Sequence, residues 1–248
     1  MVTPTILRIA HAYGNRRARI EQALAAGVDM LEADLRWDGK RIWVRHEHRF
    51  GVLPLLYNNR LRGIHREGPF ARPIGPYWFR LDTHRISFSE LLSLTAGKSG
   101  LMLDLKWAHY RKGEAKRFIE SVFETLEREK FPGEIAFCGG WGLCSLARKA
   151  RADARVFFSV DGAHEWELAI ARLRAITPPP GITIQSRLLT PERAAELSVP
   201  GVPFIAWDIE TADEASAAIA AGARGLIADD LELLATLAGT PVHAGRAS

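Results

Sequence analysis

The feature that most constrains this 248-residue chain is an alternation. Short apolar runs of strand length recur at residues 6–10, 28–35, 101–106, 134–138, 155–159, 182–185, 203–207 and 224–228. Between them lie segments with helical periodicity, at 16–26, from Ser87 onward, and at 113–130, 141–151, 163–174, 191–197, 211–221 and 231–237. Runs of four to eight apolar residues bounded by turn signals read as strands, and longer amphipathic stretches read as helices. Strands apolar nearly throughout suit a parallel sheet covered on both faces. Glycines close two of the helices, at Gly27 and Gly222, and Ser87 with Glu90 three residues on opens another as a capping box. Eight βα units in about 250 residues match a (β/α)8 TIM barrel. An open doubly wound sheet is the alternative, but no glycine-rich phosphate loop follows the first strand.

Residues 41–46 make a ninth strand that the barrel does not need. A tight turn at Asp38-Gly39 joins it to 28–35, so the two must be antiparallel. A three-residue loop, 38–40, with Gly39 left-handed, places Glu32 opposite His46 and Asp34 opposite Val44. Directly opposed residues share a face, so His46 would join the two acids. A two-residue loop would send His46 to the other face. The expected fold is a single domain over 1–248: a TIM barrel with an extra antiparallel hairpin strand after its second strand. Residues 49–85, rich in Gly, Pro, Arg and aromatics, read as a long excursion with little regular structure, and the tail from Gly239 reads as frayed.

Barrel active sites form at the C-terminal ends of the strands. Polar residues at those ends are His11, Glu32 and Asp34, Asp104 and Lys106, Trp207, and Asp229. Glu32 and Asp34 are two apart on a strand and share a face. Two acids buried together repel unless a cation compensates, and hard divalent ions such as Mg2+ or Ca2+ favour carboxylate oxygen. With Asp104 they can hold one such ion. His11 and His46 can act as general acid and base. Lys106 can pair with an anionic oxygen, and Trp207 can wall the mouth. The set suits displacement at phosphorus. As a structural alternative, the acids would pair with Lys106 or an arginine, and Asp229 would cap the last helix.

The order and spacing of these residues resemble a known family. His11 after the first strand, Leu31-Glu32-Ala33-Asp34-Leu35, Trp37-Asp38-Gly39-Lys40, and Val44-Arg45-His46-Glu47 are similar to motifs of the glycerophosphodiester phosphodiesterases. That superfamily includes the sphingomyelinase D-like phospholipases. Leu103-Asp104-Leu105-Lys106, Ala206-Trp207-Asp208-Ile209 and the run from Ala221 to Asp229 extend the resemblance over nearly the whole chain. It implies His11 and His46 as the catalytic pair, Glu32, Asp34 and Asp104 as ligands of Mg2+ or Ca2+, and Lys106 on the phosphate. In such enzymes a substrate hydroxyl attacks phosphorus to give a cyclic phosphate. The chain departs from the family at His11-Ala12-Tyr13, where His-Arg-Gly is usual, and lacks the Pro-Glu-Asn-Thr motif. Arg16 or Arg17 is the candidate replacement for the lost charge. Asp104 stands where glycerophosphodiesterases tend to have Glu, as in the sphingomyelinase D branch. A barrel that binds a phosphodiester or metal without turnover is the second expectation.

Composition narrows the partners. Two cysteines exclude a disulfide scaffold and a structural zinc site of the usual kind. The net charge of +4 is spread over scattered arginines, so no nucleic-acid stripe forms. No apolar run is long enough for a transmembrane segment, and nothing at the N-terminus reads as a signal peptide, so the cytoplasm is expected. The basic balance is compatible with transient membrane-surface contact. The expected substrate is a small-molecule phosphodiester, or a lysophospholipid if Leu53, Leu55, Tyr57, Tyr77, Trp78 and Phe79 of the excursion line an apolar groove.

Overall fold

The structure is a computed structural model that describes residues 5–46, 48–50, 53–57, 71–74, 77–80, 86–106, 113–198 and 201–242. Between 48 and 80 it describes the backbone alone. Eight parallel strands form the barrel: β1 (Leu7–Ala10), β2 (Met30–Trp37), β9 (Gly100–Leu105), β10 (Ile135–Gly139), β11 (Val156–Val160), β12 (Gly181–Gln185), β13 (Phe204–Trp207) and β14 (Gly225–Ala228). Each pairs with the next in that order, and β14 returns to β1 to close the ring. Helices cover the outside: α1 (Arg17–Ala25), α2 (Phe88–Thr95), α3 (Glu114–Glu129), α4 (Trp141–Ala150), α5 (Trp166–Arg174), α6 (Pro191–Ser198), α7 (Ala212–Ala220) and α8 (Leu231–Thr236). The expected TIM barrel is therefore the observed fold.

Alternation along each strand sorts the side chains into two layers. Ile9, Met30, Met102, Ala136, Phe157, Ile205 and Ile227 pack together in the barrel interior. Leu31, Ala33, Leu35, Leu101 and Leu103 point outward and join Phe118, Ile119 and Val122 of α3 in the larger core. Each Leu, Ile, Val, Met or Phe among them, almost wholly buried, contributes about 1.5–3 kcal/mol relative to exposure. The same parity puts Glu32 and Asp34 above Met30, and Asp104 above Met102, at the C-terminal mouth. Sequence periodicity that builds the core thus also aims the acids.

The hairpin strand is β3 (Ile42–Val44), antiparallel to β2 and edged by β8 (Ile86–Ser87). Its register differs from the expected one. Leu35 faces Val44, Arg36 faces Trp43 and Trp37 faces Ile42. The Asp38 N–H donates to the Arg41 carbonyl at 3.2 Å, leaving Gly39 and Lys40 as a two-residue loop, with Gly39 at φ 96°. The reason is burial: Ile42 and Val44 are 7% and 0% exposed and must share the outward apolar face of Leu35. The three-residue loop would have turned Val44 into the acidic mouth.

Two further expectations change. The excursion is not without regular structure. Its described residues include β4 (His48–Phe50), β5 (Leu53–Tyr57), β6 (Ala71–Ile74) and β7 (Tyr77–Arg80), in an antiparallel sheet ordered β4-β5-β7-β6. The chain after Gly239, expected to fray, is pinned through Val242: Ile6 N–H donates to the Thr240 carbonyl at 2.9 Å, and Thr5 bridges Pro241.

Candidate active site

Glu32, Asp34 and Asp104 come together at the mouth. One carboxylate oxygen from each lies within 4.8 Å of the others. Asp34 and Asp104 are paired across the β2–β9 ladder, and Glu32 lies two residues earlier on β2. Glu32 and Asp34 are 4% and 2% exposed. Burial and the Asp34 charge push Glu32 up to about 8, with His11 opposing. Burial also raises Asp104, against the pull of Lys106. Asp34 goes the other way. Burial would raise it, but Lys106, His46 and the Asn15 amide hold it well below the usual carboxylate range.

Lys106 continues β9 beyond its last ladder residue, its N–H donating to the Leu35 carbonyl at 3.1 Å. Its ammonium lies 2.7 Å from Asp34 Oδ1 and also contacts Asp104 Oδ2. One ammonium faces three carboxyl groups and cannot by itself neutralise them all once they are ionised. A hard divalent cation fits that donor set: all oxygen, convergent and short of positive charge.

A single 3-10 turn, Tyr13–Asn15, braces the acids from below α1. Ala12, left-handed at φ 56°, points its N–H at Glu32 Oε2, 2.7 Å away. Asn15 grips Asp34 with both ends of its amide: Nδ2 donates to Oδ2 at 2.5 Å, and Oδ1 accepts the Asp34 N–H at 2.9 Å. Gly14 makes the approach possible. A Cβ there would meet Ala33 Cβ at 2.5 Å and the Glu32 carbonyl at 2.9 Å. Gly14→Ala is expected to cost about 1–3 kcal/mol, as overpacking does, by forcing the 3-10 turn away from β2; unchanged thermal stability would refute this bracing. Gly139, at φ 130°, plays a like part for Asp104, since a Cβ would lie 3.0 Å from Asp104 Oδ1.

His11 follows β1 and stays in the β14 ladder through its N–H, which donates to the Ala228 carbonyl at 2.9 Å. Its Nδ1 lies 3.1 Å from Asp229 Oδ1. The Tyr13 hydroxyl donates to the Asp229 carbonyl at 3.0 Å. Burial lowers the His11 ring, but the Asp229 hydrogen bond and the charges of Glu32, Asp229 and Asp34 outweigh it and raise it to about 9. Asp229 was expected to cap the final helix. Asp230 does that instead, accepting the N–H groups of Glu232 and Leu233 at 2.8 and 3.1 Å.

His46 lies just past β3, where the chain bends, and is open to solvent. Desolvation of the ring at the mouth pushes it down to about 4, with Lys106 and Arg36 adding to the effect and Asp34 opposing it. Trp207 ends β13, half-buried against the interior layer. Behind it Asp208, left-handed at φ 65°, accepts from Gln185 Nε2 at 2.6 Å. Arg17, one candidate for the missing arginine, is engaged with Glu90 at 2.5 Å. Arg36 was not anticipated. It shares the inward face of Glu32 and Asp34, is 6% exposed, and donates to the His46 carbonyl. Its i, i+2 spacing from Asp34 was the available signal. The side chains of the excursion lie outside the described residues, and with them the proposed apolar groove.

No family model matches the chain, and no curated protein matches it in sequence. Solved structures do. A protein from Silicibacter pomeroyi assigned to the glycerophosphoryl diester phosphodiesterases is similar at a TM-score of 0.74 and 16% identity, over 97% of this chain and 96% of that one. A glycerophosphodiester phosphodiesterase from Parabacteroides distasonis is similar at 0.68 and 15%, over 95% and 98%. A phosphodiesterase from Oleispira antarctica, in complex with the product sn-glycerol-3-phosphate, is similar at 0.69 and 15%, over 95% and 96%. The chain has, over nearly its full length, the fold of the solved glycerophosphodiester phosphodiesterases.

Proposed function

We propose that this protein is a divalent-metal-dependent phosphodiesterase acting on glycerophosphodiesters or related lysophospholipids. The observation that carries the proposal is the buried Glu32–Asp34–Asp104 cluster, bridged by Lys106 and flanked by His11. Glu32, Asp34 and Asp104 would hold one ion, Mg2+ or Ca2+, which when bound supplies Lewis-acid stabilisation of the phosphoryl oxygens.

The chain's own residues divide the remaining work. Lys106 turns from its carboxylates to a phosphate oxygen. His46, kept neutral by desolvation at the mouth and by the neighbouring cations, accepts the proton of the attacking hydroxyl, from the substrate or from water. His11, stabilised as imidazolium by Asp229, gives a proton to the leaving alcohol oxygen as its bond to phosphorus breaks. Trp207 walls the substrate side of the mouth. No helix among the described residues is long and apolar enough to cross a membrane. A cytoplasmic enzyme, touching membrane surfaces transiently if its substrate is a lysolipid, is part of the same proposal.

Turnover of glycerophosphocholine, lysophosphatidylcholine and sphingomyelin, with Mg2+ and with a chelator, tests it. Metal-dependent release of the alcohol from one of them is expected. Folded protein that binds these diesters in calorimetry, yet turns over none with metal present, would instead make this a binding barrel.

A further inference from the structure

The observed hairpin register leaves His46 without the strand pairing expected to aim it. If β3 continued in its ladder, His46 would fall opposite Ala33, on the outward face with Leu35 and Val44. The ladder instead ends one residue past β3, with the Arg45 N–H donating to the Asp34 carbonyl at 2.8 Å. There the chain bends. The contact that meets it is Arg36, whose Nε and Nη2 donate to the His46 carbonyl at 3.2 and 3.0 Å. Arg36 is 6% exposed, on the strand face that carries Glu32 and Asp34.

We propose that Arg36 is a positioning residue: its buried guanidinium fixes the main chain at His46 and turns that side chain from the helix face to the barrel mouth. A planar guanidinium presents N–H groups from two nitrogens to one carbonyl in a fixed geometry while keeping its charge. A buried cation of this kind is retained only where its environment compensates it, and the acids of the mouth do so. The same group supplies fixed positive charge beside the site, which the chain lacks at Ala12. The inference presupposes the part given to His46 in the proposed reaction.

The experiment uses the full chain with Arg36→Lys, Arg36→Gln and Arg36→Ala. Three quantities are read: kcat and KM on glycerophosphocholine, Mg2+ affinity by calorimetry, and histidine ring resonances by 15N NMR. The Lys and Gln variants are expected to lose about 100-fold in kcat, the scale of a misplaced catalytic group, with KM and Mg2+ affinity little changed. The His46 ring signals should shift while those of His11 stay. Millimolar methylguanidinium should restore part of kcat to Arg36→Ala. Should the Gln and Ala variants fail to fold, Arg36→Lys, which keeps charge and stem, carries the kinetics and the spectra. Unchanged kcat, or Mg2+ affinity falling in step with kcat, would overturn the inference. If the wild type turns over no diester, the proposed function fails separately. The spectra then decide: a shifted His46 supports the positioning role, and an unshifted one refutes it.

Discussion

Replacing either histidine with alanine should lower kcat by roughly 10²–10⁴-fold, the range of general acid–base catalysis, and leave the fold intact. Both side chains stand at the open mouth: His46 is exposed, and the His11 side chain is 43% exposed. Neither removal opens a cavity in the core. The two variants should differ in one respect. A substrate whose leaving alcohol is already acidic needs no proton from His11, so His11→Ala should recover much of its rate on a nitrophenyl phosphodiester. His46→Ala should not. Equal recovery in both would assign the roles the other way or to neither. Asp229→Asn keeps a hydrogen-bonding group beside His11 Nδ1 but removes the charge, and should fall between the wild type and His11→Ala.

Converting Glu32 to glutamine should stabilise the metal-free protein in mild alkali and abolish its response to metal. The sign follows from burial. Glu32 ionises near 4.5 in the unfolded chain and near 8 in the fold. Between those values the folded state holds a proton that the unfolded state has lost, so metal-free stability falls as pH rises. The His11 pair acts in the same direction, present below 6.5 and lost through about 9. Asp34, held low, acts oppositely, and its contribution is lost only in strong acid. On the proposed function a divalent ion would displace the Glu32 proton, so Mg2+ affinity should rise with pH and level off above about 8. At pH 8.5 in chelator, Glu32→Gln should melt about 5 °C higher than wild type, or ~2 kcal/mol for a chain of this size. Adding Mg2+ should raise the wild-type midpoint and leave the variant's unmoved. A variant that still binds Mg2+ with wild-type affinity would remove Glu32 from the metal site.

The barrel was legible because its signal repeats. Each strand is a short apolar run, and two of the helices carry a glycine stop, at Gly27 and Gly222. The acids and Lys106 were legible because a polar i, i+2 pair on an apolar strand has a single sensible direction, toward the mouth. The turn alone does not decide the hairpin register. The deciding information lay in Ile42 and Val44, which needed an apolar face and fixed the pairing. The bracing turn could not be read locally. Gly14 and Asn15 acquire meaning only against Ala33 and Asp34, about twenty residues away. At Asp229-Asp230 two adjacent acids competed for one cap, and the second took it because its carboxylate reaches the helix N–H groups. In the excursion, Gly and Pro masked the strand formers around Tyr57 and Tyr77, which pair with each other.

The hydrogen bond between His11 and Asp229 spans 218 positions of the chain and crosses the seam where the first strand meets the last. Its partners emerge 218 residues apart during synthesis. Glu32, Asp34 and Asp104 lie on adjacent strands, and all have emerged before the midpoint of the chain. An incomplete chain can therefore gather its acids long before it can orient its first histidine. Non-local closure of this kind is the slow, late event in folding. On the proposed function, catalysis would wait for that closure, since the His11–Asp229 contact forms only where the first and last strands meet.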